Sequence, residues 1–198
     1  SLSTGARLSR LRYRLLTQLV NQLLDISRLE AGGLRLEIAE VDTADFFERL
    51  RLTFGVLAQK QAIAFDVELD SDAPATIHAD GARLRDQVLG NLLANALKFT
   101  PEGGSIRVRG FGENAHFVIE VCDTGAGMPA DLLPHVFDKY FQIGEQARSK
   151  GAGLGLTIAH DVVHEHGGTI SVDSEEGAGT TFRIVLPVSH ANVPAAVS

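Results

Sequence analysis

Three polar side chains in one stretch of the sequence are spaced to act together on a phosphorylated ligand. Asn91, Asn95 and Lys98 are related as i, i+4 and i+7, so they share one face of a predicted helix. Amide oxygens suit Mg²⁺, which also takes oxygens from phosphate groups, and a lysine neutralises phosphate charge. The spacing therefore predicts a metal and anion site; the alternative is that these side chains cap backbone groups or face solvent.

A carboxylate followed by a glycine turn is the second candidate element. Asp123 ends the apolar run 117–122 and precedes Gly125 and Gly127. Its oxygens could accept a hydrogen bond from an exocyclic amine, the group that distinguishes adenine from guanine, and the glycines let the backbone approach a flat base closely. The alternative interpretation is a plain β-turn, because Asp-Thr-Gly is favourable turn sequence.

A glycine-rich turn at the start of a predicted helix is the third candidate element. Gly151, Gly153 and Gly155 match neither a Walker loop nor a dinucleotide-binding motif. What remains is a turn that presents backbone N–H groups at a helix start, which favours anion binding. Three basic residues near it could contact a terminal phosphate or could be ordinary solvated charges: Lys139, Arg148 and Lys150.

The histidines give only a weak indication of a metal site. His160 and His164 are related as i, i+4, but Asp161 follows His160 where a zinc-binding H-E-x-x-H motif has glutamate. We therefore expect His160, His164 and His166 to be surface or packing residues.

Length and composition describe an ordinary globular protein. The 198 residues suffice for one domain with an appendage, and the net charge of −7 argues against a nucleic-acid partner. No apolar run approaches the roughly 18 residues of a membrane span. The single cysteine excludes an intrachain disulfide and fits a reducing compartment. We expect a cytoplasmic chain, although the parent protein could be membrane-anchored.

The elements that must position these residues follow from hydrophobic periodicity. Residues 7–31 predict a long helix whose apolar stripe either packs on the domain or pairs in a helix-bundle dimer. Because the later strands occur in hairpins as well as between helices, the pattern favours an α+β fold, a two-layer α/β sandwich, over a doubly wound sheet. The strands are predicted at 34–41, 63–69, 75–79, 105–110, 116–122, 169–173 and 180–188. The further helices are predicted at 44–60, capped by Asp42 or Thr43, at 81–99, capped by Asp80, and at 154–166. Residues 129–142 suggest a short helix in which Pro134 permits only one turn before a break or kink.

Together these motifs closely resemble the ATP-binding domain of bacterial sensor histidine kinases, within the GHKL superfamily that includes Hsp90, type II topoisomerases and MutL. Residues 24–32 also resemble the end of the second helix of that family's dimerisation and phosphoacceptor domain. The matching segments are the N box at 91–100, the G1 box at 123–128, the F box at 136–141, the G2 box at 151–156 and a last glycine/threonine motif at 179–182.

The resemblance implies a Bergerat-type ATP-binding fold and a division of the chain. Residues 1–33 would come from a truncated dimerisation domain, 34–188 would form the catalytic domain and 189–198 a disordered tail. Asp123 would bind the adenine amine, Asn95 would hold Mg²⁺ with help from Asn91, and residues 138–152 would form an ATP lid. The implied ATP-binding set is Asn91, Asn95, Lys98, Phe99, Asp123, Gly125, Gly127, Met128, Lys139, Tyr140, Phe141, Arg148, Lys150, Gly151, Gly153, Leu154, Gly155, Leu156 and Thr180.

By this resemblance the chain would bind ATP and Mg²⁺ and transfer the γ-phosphoryl group to a histidine on a dimerisation domain, for later passage to a response regulator. None of its histidines has the flanks of the family's phosphoacceptor motif. We therefore expect a fragment of a homodimeric parent kinase that does not autophosphorylate alone. The alternatives are a non-catalytic nucleotide-binding sensor or scaffold module, and a serine kinase of the anti-sigma type, against which residues 24–32 argue.

Overall fold

Seven strands and three helices make up the described part of the chain, residues 35–142 and 153–188 of the computed structural model. Helix α2 is continuous over three stretches, of which the middle one is π-helical. The predicted helix at 7–31 and the predicted tail at 189–198 lie outside the described residues. No helix of the described part has the length and apolarity to cross a membrane. In chain order the elements are β1 (Ala39–Asp42), α1 (Thr43–Lys60), β2 (Ala64–Leu69), β3 (Thr76–Ala79), α2 (Gly81–Arg83, Leu84–Leu89 and Gly90–Phe99), β4 (Ser105–Glu113), β5 (His116–Asp123), a 3₁₀ turn (Leu133–His135), α3 (Gly155–Glu165), β6 (Thr169–Glu175) and β7 (Gly179–Pro187).

A five-stranded sheet in the order β2-β4-β5-β7-β6 forms one layer. Strands β2 and β4 run parallel, and the other neighbours pair antiparallel. One face of the sheet is solvated and largely polar, while the other packs on the helices. The predicted α+β two-layer sandwich is therefore confirmed. The helix-facing row of the sheet contributes Val67, Ile106, Val108, Phe117, Ile119, Val121, Phe182, Ile184 and Leu186 to the core.

Helix α1 packs its apolar face on the β2–β4–β5 side of this sheet. Asp42 caps the helix, because its carboxylate accepts a hydrogen bond from the Asp45 N–H at 2.8 Å. Phe47 and Leu50 are buried, and the Phe47 ring meets the Phe117 ring edge-on with centroids 6.0 Å apart. The predicted cap and the predicted helix are confirmed.

Helix α2 lies in the same layer, and its apolar face is buried. Asp80 caps it by accepting a hydrogen bond from the Arg83 N–H at 3.0 Å, as the sequence predicts. In the π-helical stretch the Gly90 N–H bonds to the Arg85 carbonyl, five residues back, which is the pattern of one extra residue inserted into a helix. The sequence did not predict this stretch. The buried face includes Leu84, Val88, Leu92 and Leu93.

A buried histidine joins the start of α2 to the end of α3. The Nε2 atom of His166 accepts a hydrogen bond from the Asp80 N–H at 2.9 Å, and Nδ1 donates to the Val162 carbonyl at 2.7 Å. Because Nε2 is an acceptor, the ring is neutral with its proton on Nδ1. The Asp80 carboxylate also accepts a hydrogen bond from the Glu37 N–H at 3.1 Å. The segment before β1 is therefore tied to the same point.

Two predicted elements are shorter than their predicted ranges. The first strand is predicted over 34–41 but runs over Ala39–Asp42, because it pairs with β3, which is itself four residues long. These two strands form a separate two-stranded sheet. The short helix suggested within 129–142, in which Pro134 permits only one turn, is a 3₁₀ turn at Leu133–His135.

Two leucines of α1 allow the effect of burial on stability to be separated from the effect of helix propensity. Leu50 is 0% exposed and Leu52 is 65% exposed. Leu50→Ala should lower the free energy of unfolding by about 2–5 kcal/mol, because it leaves a cavity against the sheet. Leu52→Ala, the matched control, should change it by less than about 0.5 kcal/mol. Urea unfolding followed by circular dichroism measures both, and equal losses would contradict the packing described.

Candidate functional site

Helix α2 contacts both glycine turns that the sequence singles out. A Cβ atom on Gly155 would lie 2.9 Å from Oδ1 of Asn91, so the start of α3 abuts that amide. Two helical turns further on, the Phe99 carbonyl accepts a hydrogen bond from the Ala126 N–H at 3.3 Å, and a Cβ atom on Gly125 would lie 2.8 Å from the same oxygen. The two turns therefore meet α2 at opposite ends of one helix face.

The amide of Asn95 lies between these two contacts, about one turn from each. Its side chain is half-buried and makes no hydrogen bond with another described residue. Asn91 differs, because its Nδ2 donates to the Gln87 carbonyl at 2.6 Å, which leaves Oδ1 directed at Gly155. A half-buried amide without a partner among the described residues can form hydrogen bonds with water or with a ligand. The amide of Asn95 is therefore available to a ligand.

The Asp123 carboxylate stands at the end of β5, beside the first turn. It accepts hydrogen bonds from the backbone N–H groups of Gly125, at 2.8 Å, and Thr180. Desolvation by burial raises the pKa of this carboxyl above its usual value, and the two N–H groups oppose that rise in part. The group remains half-buried, so its other lone pairs can still meet a ligand.

Backbone conformation explains why the first turn needs glycine. Gly127 has a φ of +63°, and a Cβ atom there would collide with the Glu175 carbonyl. A Cβ atom on Gly125 would lie 2.7 Å from Oδ1 of Asp123. The turn is therefore pressed between α2 and the β6–β7 hairpin, and no side chain fits at either position.

The second glycine turn is held by a hydrogen bond from the F-box segment, residues 136–141. Gly153 has a φ of +68°, and its carbonyl accepts a hydrogen bond from the Tyr140 N–H at 3.0 Å. Tyr140 itself has a φ of +65° and an exposed ring, while Phe141 is half-buried with its ring 6.1 Å from that of His135. The F-box residues thus reach the start of α3 through backbone contacts.

Lys98 and Phe99 form an exposed pair at the end of α2. The Lys98 Nζ atom lies 4.7 Å from the centroid of the Phe99 ring, a cation–π arrangement. Both side chains are exposed. They can therefore turn toward a ligand bound beside Asn95 with little disturbance of the core.

A hydroxyl network that the sequence did not reveal lies beside Asp123. The Ser174 Oγ atom is 2.9 Å from the Met128 nitrogen, 2.8 Å from the Gly179 carbonyl oxygen and 3.0 Å from the Thr180 Oγ1 atom. These partners come from the first turn and from β7, so Ser174 joins the two. Its position in β6 gives no spacing signal, because the partners belong to segments far apart in sequence.

The predicted site residues fall into two groups. The first group comes from α2, the first turn, the start of α3 and Thr180, which are segments in contact with one another. Among its residues Leu154 is buried, and Leu156 and Met128 are half-buried. Lys139 is exposed on the segment that leads to Phe141. Arg148, Lys150, Gly151 and most of the predicted lid at 138–152 lie outside the described residues. The roles assigned to single residues remain predictions.

The histidines of α3 lie on a different side of that helix from Gly155. The rings of His160 and His164 stack with centroids 6.4 Å apart, and His160 also lies 5.4 Å from the Phe137 ring. His160 pairs with the neighbouring Asp161 at 3.3 Å. Within residues 35–142 and 153–188, no three metal-ligating side chains cluster.

The arrangement suits an elongated ligand with an amine at one end and anionic groups at the other. Asp123 and Thr180 provide oxygen atoms at the first end. Asn95 supplies an amide in the middle, and the N-terminus of α3 supplies backbone N–H groups and a positive dipole end at the other. A nucleotide has this order of chemical groups.

Comparison with known proteins identifies relatives. Residues 79–190 match the family described as histidine kinase-, DNA gyrase B-, and HSP90-like ATPase. The chain is 34% identical over 183 residues to sensor histidine kinase RcsC of Escherichia coli strain K12, a match that covers 91% of this chain and 19% of that protein. The chain thus spans about a fifth of the length of this curated relative.

Solved structures share the fold. Full-length ShkA in complex with AMPPNP has a TM-score of 0.82 at 30% identity, and the match covers 98% of this chain and 41% of that one. Histidine kinase ThkA in complex with the response regulator protein TrrA has a TM-score of 0.72 at 25% identity, covering 95% and 52%. The five-stranded sheet with its helical layer is therefore the fold of histidine kinase catalytic domains.

The raised pKa of Asp123 predicts how stability depends on pH. The stabilising contribution of a carboxyl with a raised pKa is complete below its unfolded value of 3.8 and is lost as the pH rises through its folded value. Asp123→Asn should remove this loss, whereas Asp131→Asn, an exposed control, should retain it. Urea unfolding from about pH 3.5 to about pH 7 measures the difference. Parallel pH profiles for the wild type and Asp123→Asn would contradict the prediction.

Proposed function

The chain belongs to the histidine kinase-, DNA gyrase B- and HSP90-like ATPase family, and on that basis we propose that it is the Mg-ATP-binding catalytic domain of a sensor histidine kinase. Residues 34–188 would form this domain, residues 1–33 the end of a dimerisation and phosphoacceptor domain, and 189–198 a tail. The observation that carries the proposal is the amide of Asn95, which has no hydrogen-bond partner within residues 35–142 and 153–188 and lies between the Asp123 turn and the start of α3.

The base would bind at the Asp123 end. The carboxylate would accept a hydrogen bond from the exocyclic amine of adenine, and Gly125 and Gly127 would shape this end of the site by letting the turn pack closely on α2 and the β6–β7 hairpin. The two backbone N–H groups that hold the carboxylate support this role, because they orient its oxygens and favour its charged form against the effect of burial. Met128 and Phe99 would contribute apolar contacts to the ring.

The phosphates would bind at the start of α3. Backbone N–H groups after Gly153 and the positive end of the helix dipole would receive them, and Lys98 would supply charge. Lys139, Arg148 and Lys150 would assist. Tyr140, Phe141 and Gly151 would complete this end of the site.

Asn95, with Asn91 beside it, would hold Mg²⁺. Neutral amide oxygens suit an ion that takes most of its other ligands from water and phosphate, and the half-buried Asn95 amide has no described partner to lose. When bound, Mg²⁺ would neutralise charge on the phosphate oxygens. The residues present therefore fit this ion.

The chain's part in phosphoryl transfer would be positioning and charge stabilisation. The γ-phosphoryl group would pass to a histidine on the dimerisation domain of the parent kinase and later to a response regulator. The solved complex of the relative ThkA with the response regulator TrrA supports such a partner. The parent would act as a homodimer in the cytoplasm, with or without a membrane anchor, and the net charge of −7 supports the absence of a nucleic-acid partner.

Adenine-nucleotide binding should depend on the Asp123 carboxylate. Asp123→Asn should weaken binding of a non-hydrolysable ATP analogue by about tenfold to a hundredfold, because a charge-assisted hydrogen bond contributes about 1.5–3 kcal/mol. Calorimetric titration with and without Mg²⁺ measures this, and Mg²⁺ should strengthen binding. The matched control is Asp173→Asn, an exposed carboxylate of β6, which should leave the affinity unchanged. Failure of the folded wild type to bind would refute the proposal.

Phosphoryl transfer should require a second domain. Incubated alone with γ-labelled ATP, the chain should incorporate no label. A separate helical domain bearing the parent's phosphoacceptor histidine should become labelled, and the same domain with that histidine changed to glutamine should not. Binding of the analogue without any transfer would instead favour a non-catalytic sensor or scaffold module.

A further inference from the structure

The Ser174 hydroxyl is saturated by three partners, and their chemistry fixes the direction of every hydrogen bond. The Gly179 carbonyl can only accept, so the single proton of Ser174 points to it. The Met128 N–H can only donate, so it occupies one lone pair of Ser174 Oγ. The second lone pair is left for Thr180, which must therefore be the donor in the 3.0 Å contact.

The consequence for Thr180 is that its own proton is already used. Its Oγ1 atom can then offer lone pairs to a ligand but no proton. Thr180 stands directly opposite Asp123 in the β5–β7 ladder, on the same face of the sheet, and is 8% exposed. Asp123 as a carboxylate is also an acceptor without a proton. The two side chains together form a wall of acceptors.

A wall that contains only acceptors selects its ligand by hydrogen-bond polarity. An exocyclic amine presents protons to it, whereas a carbonyl oxygen at the same ring position would face like partial charges and leave buried lone pairs unpaired. A water molecule that donates one proton to Asp123 and the other to Thr180 preserves this preference, because only its lone pairs then remain for the ligand. A 6-amino purine is favoured over a 6-oxo purine in either case.

From this geometry we infer that Ser174 is a specificity-determining residue, which holds Thr180 as an acceptor and so excludes 6-oxo purine nucleotides. The inference rests on the proposed function. Ser174 acts through Thr180 and the first turn, so it is a positioning residue. Without its hydroxyl, Thr180 could rotate and donate to a carbonyl oxygen, and the discrimination would weaken.

The experiment compares ADP and IDP, which differ in the 6-substituent and in the N1 proton that accompanies the 6-oxo group, by calorimetric titration of the whole chain. The wild type should prefer ADP by about tenfold or more, since unpaired buried acceptors are costly. Ser174→Ala should reduce the ratio of the two dissociation constants at least fivefold. Ser174→Thr, which keeps a hydroxyl, should restore it, and Ser171→Ala, on the exposed face of β6, should match the wild type.

The outcomes distinguish a specificity-determining role of Ser174 from a purely structural one. Equal weakening of ADP and IDP by Ser174→Ala would show a purely structural residue and would overturn the inference. Equal affinity of the wild type for ADP and IDP would overturn it while leaving adenine-nucleotide binding intact, and binding of neither by a folded wild type would refute the proposed function as well. If Ser174→Ala fails to fold, Thr180→Val removes the acceptor itself, and an unchanged ratio in that variant would overturn the inference.

Discussion

The burial of the apolar face of α2 is the interaction on which the rest of the site depends. Leu84, Val88, Leu92 and Leu93 are each almost completely removed from water, and burial of one such side chain contributes about 1.5–3 kcal/mol. Burial of this face fixes the rotation of the helix about its axis. Asn91 and Asn95 therefore lie on the opposite face, where Asn91 contacts Gly155 at the start of α3.

Around this helix the site is made chiefly of backbone. The Phe99 carbonyl, the Gly153 carbonyl and the N–H groups of Gly125 and Ala126 hold the turns together, and side chains are excluded where backbones approach. Such contacts are rigid, because main-chain atoms have few alternative arrangements. They permit the half-burial of Asp123, whose charged form would be costly without the two N–H groups that meet it.

The sequence predicted what local chemistry determines. Asp42 and Asp80 could be identified as helix caps because their partners lie three residues away, and the spacing of Asn91 and Asn95 required no knowledge of the fold. The strand pattern and the order of the motifs sufficed for the α+β sandwich and for the family.

Contacts between distant segments were not predictable in this way. Strand β1 is short because it pairs with the short strand β3. This pairing depends on the tertiary structure and leaves no local signal in the sequence. Ser174 and His166 looked like ordinary strand and helix residues, since their hydrogen-bond partners are supplied by other segments. The contact between Asn91 and Gly155 was equally unpredictable, because it forms only when α2 and α3 pack together.

The π-helical stretch Leu84–Leu89 holds one more residue than an unbroken α-helix would need between its flanks. A regular α-helix advances about 100° and about 1.5 Å per residue, and the wide π turn absorbs the advance of the extra residue. Deleting one residue inside this stretch would therefore restore ordinary α-helical bonding and leave the leucines and asparagines on their own faces. Deleting one residue after Gly90 would instead rotate everything beyond it by about 100° and take the leucines out of the core. In evolution the π turn is thus the place where α2 can lose a residue and keep both faces.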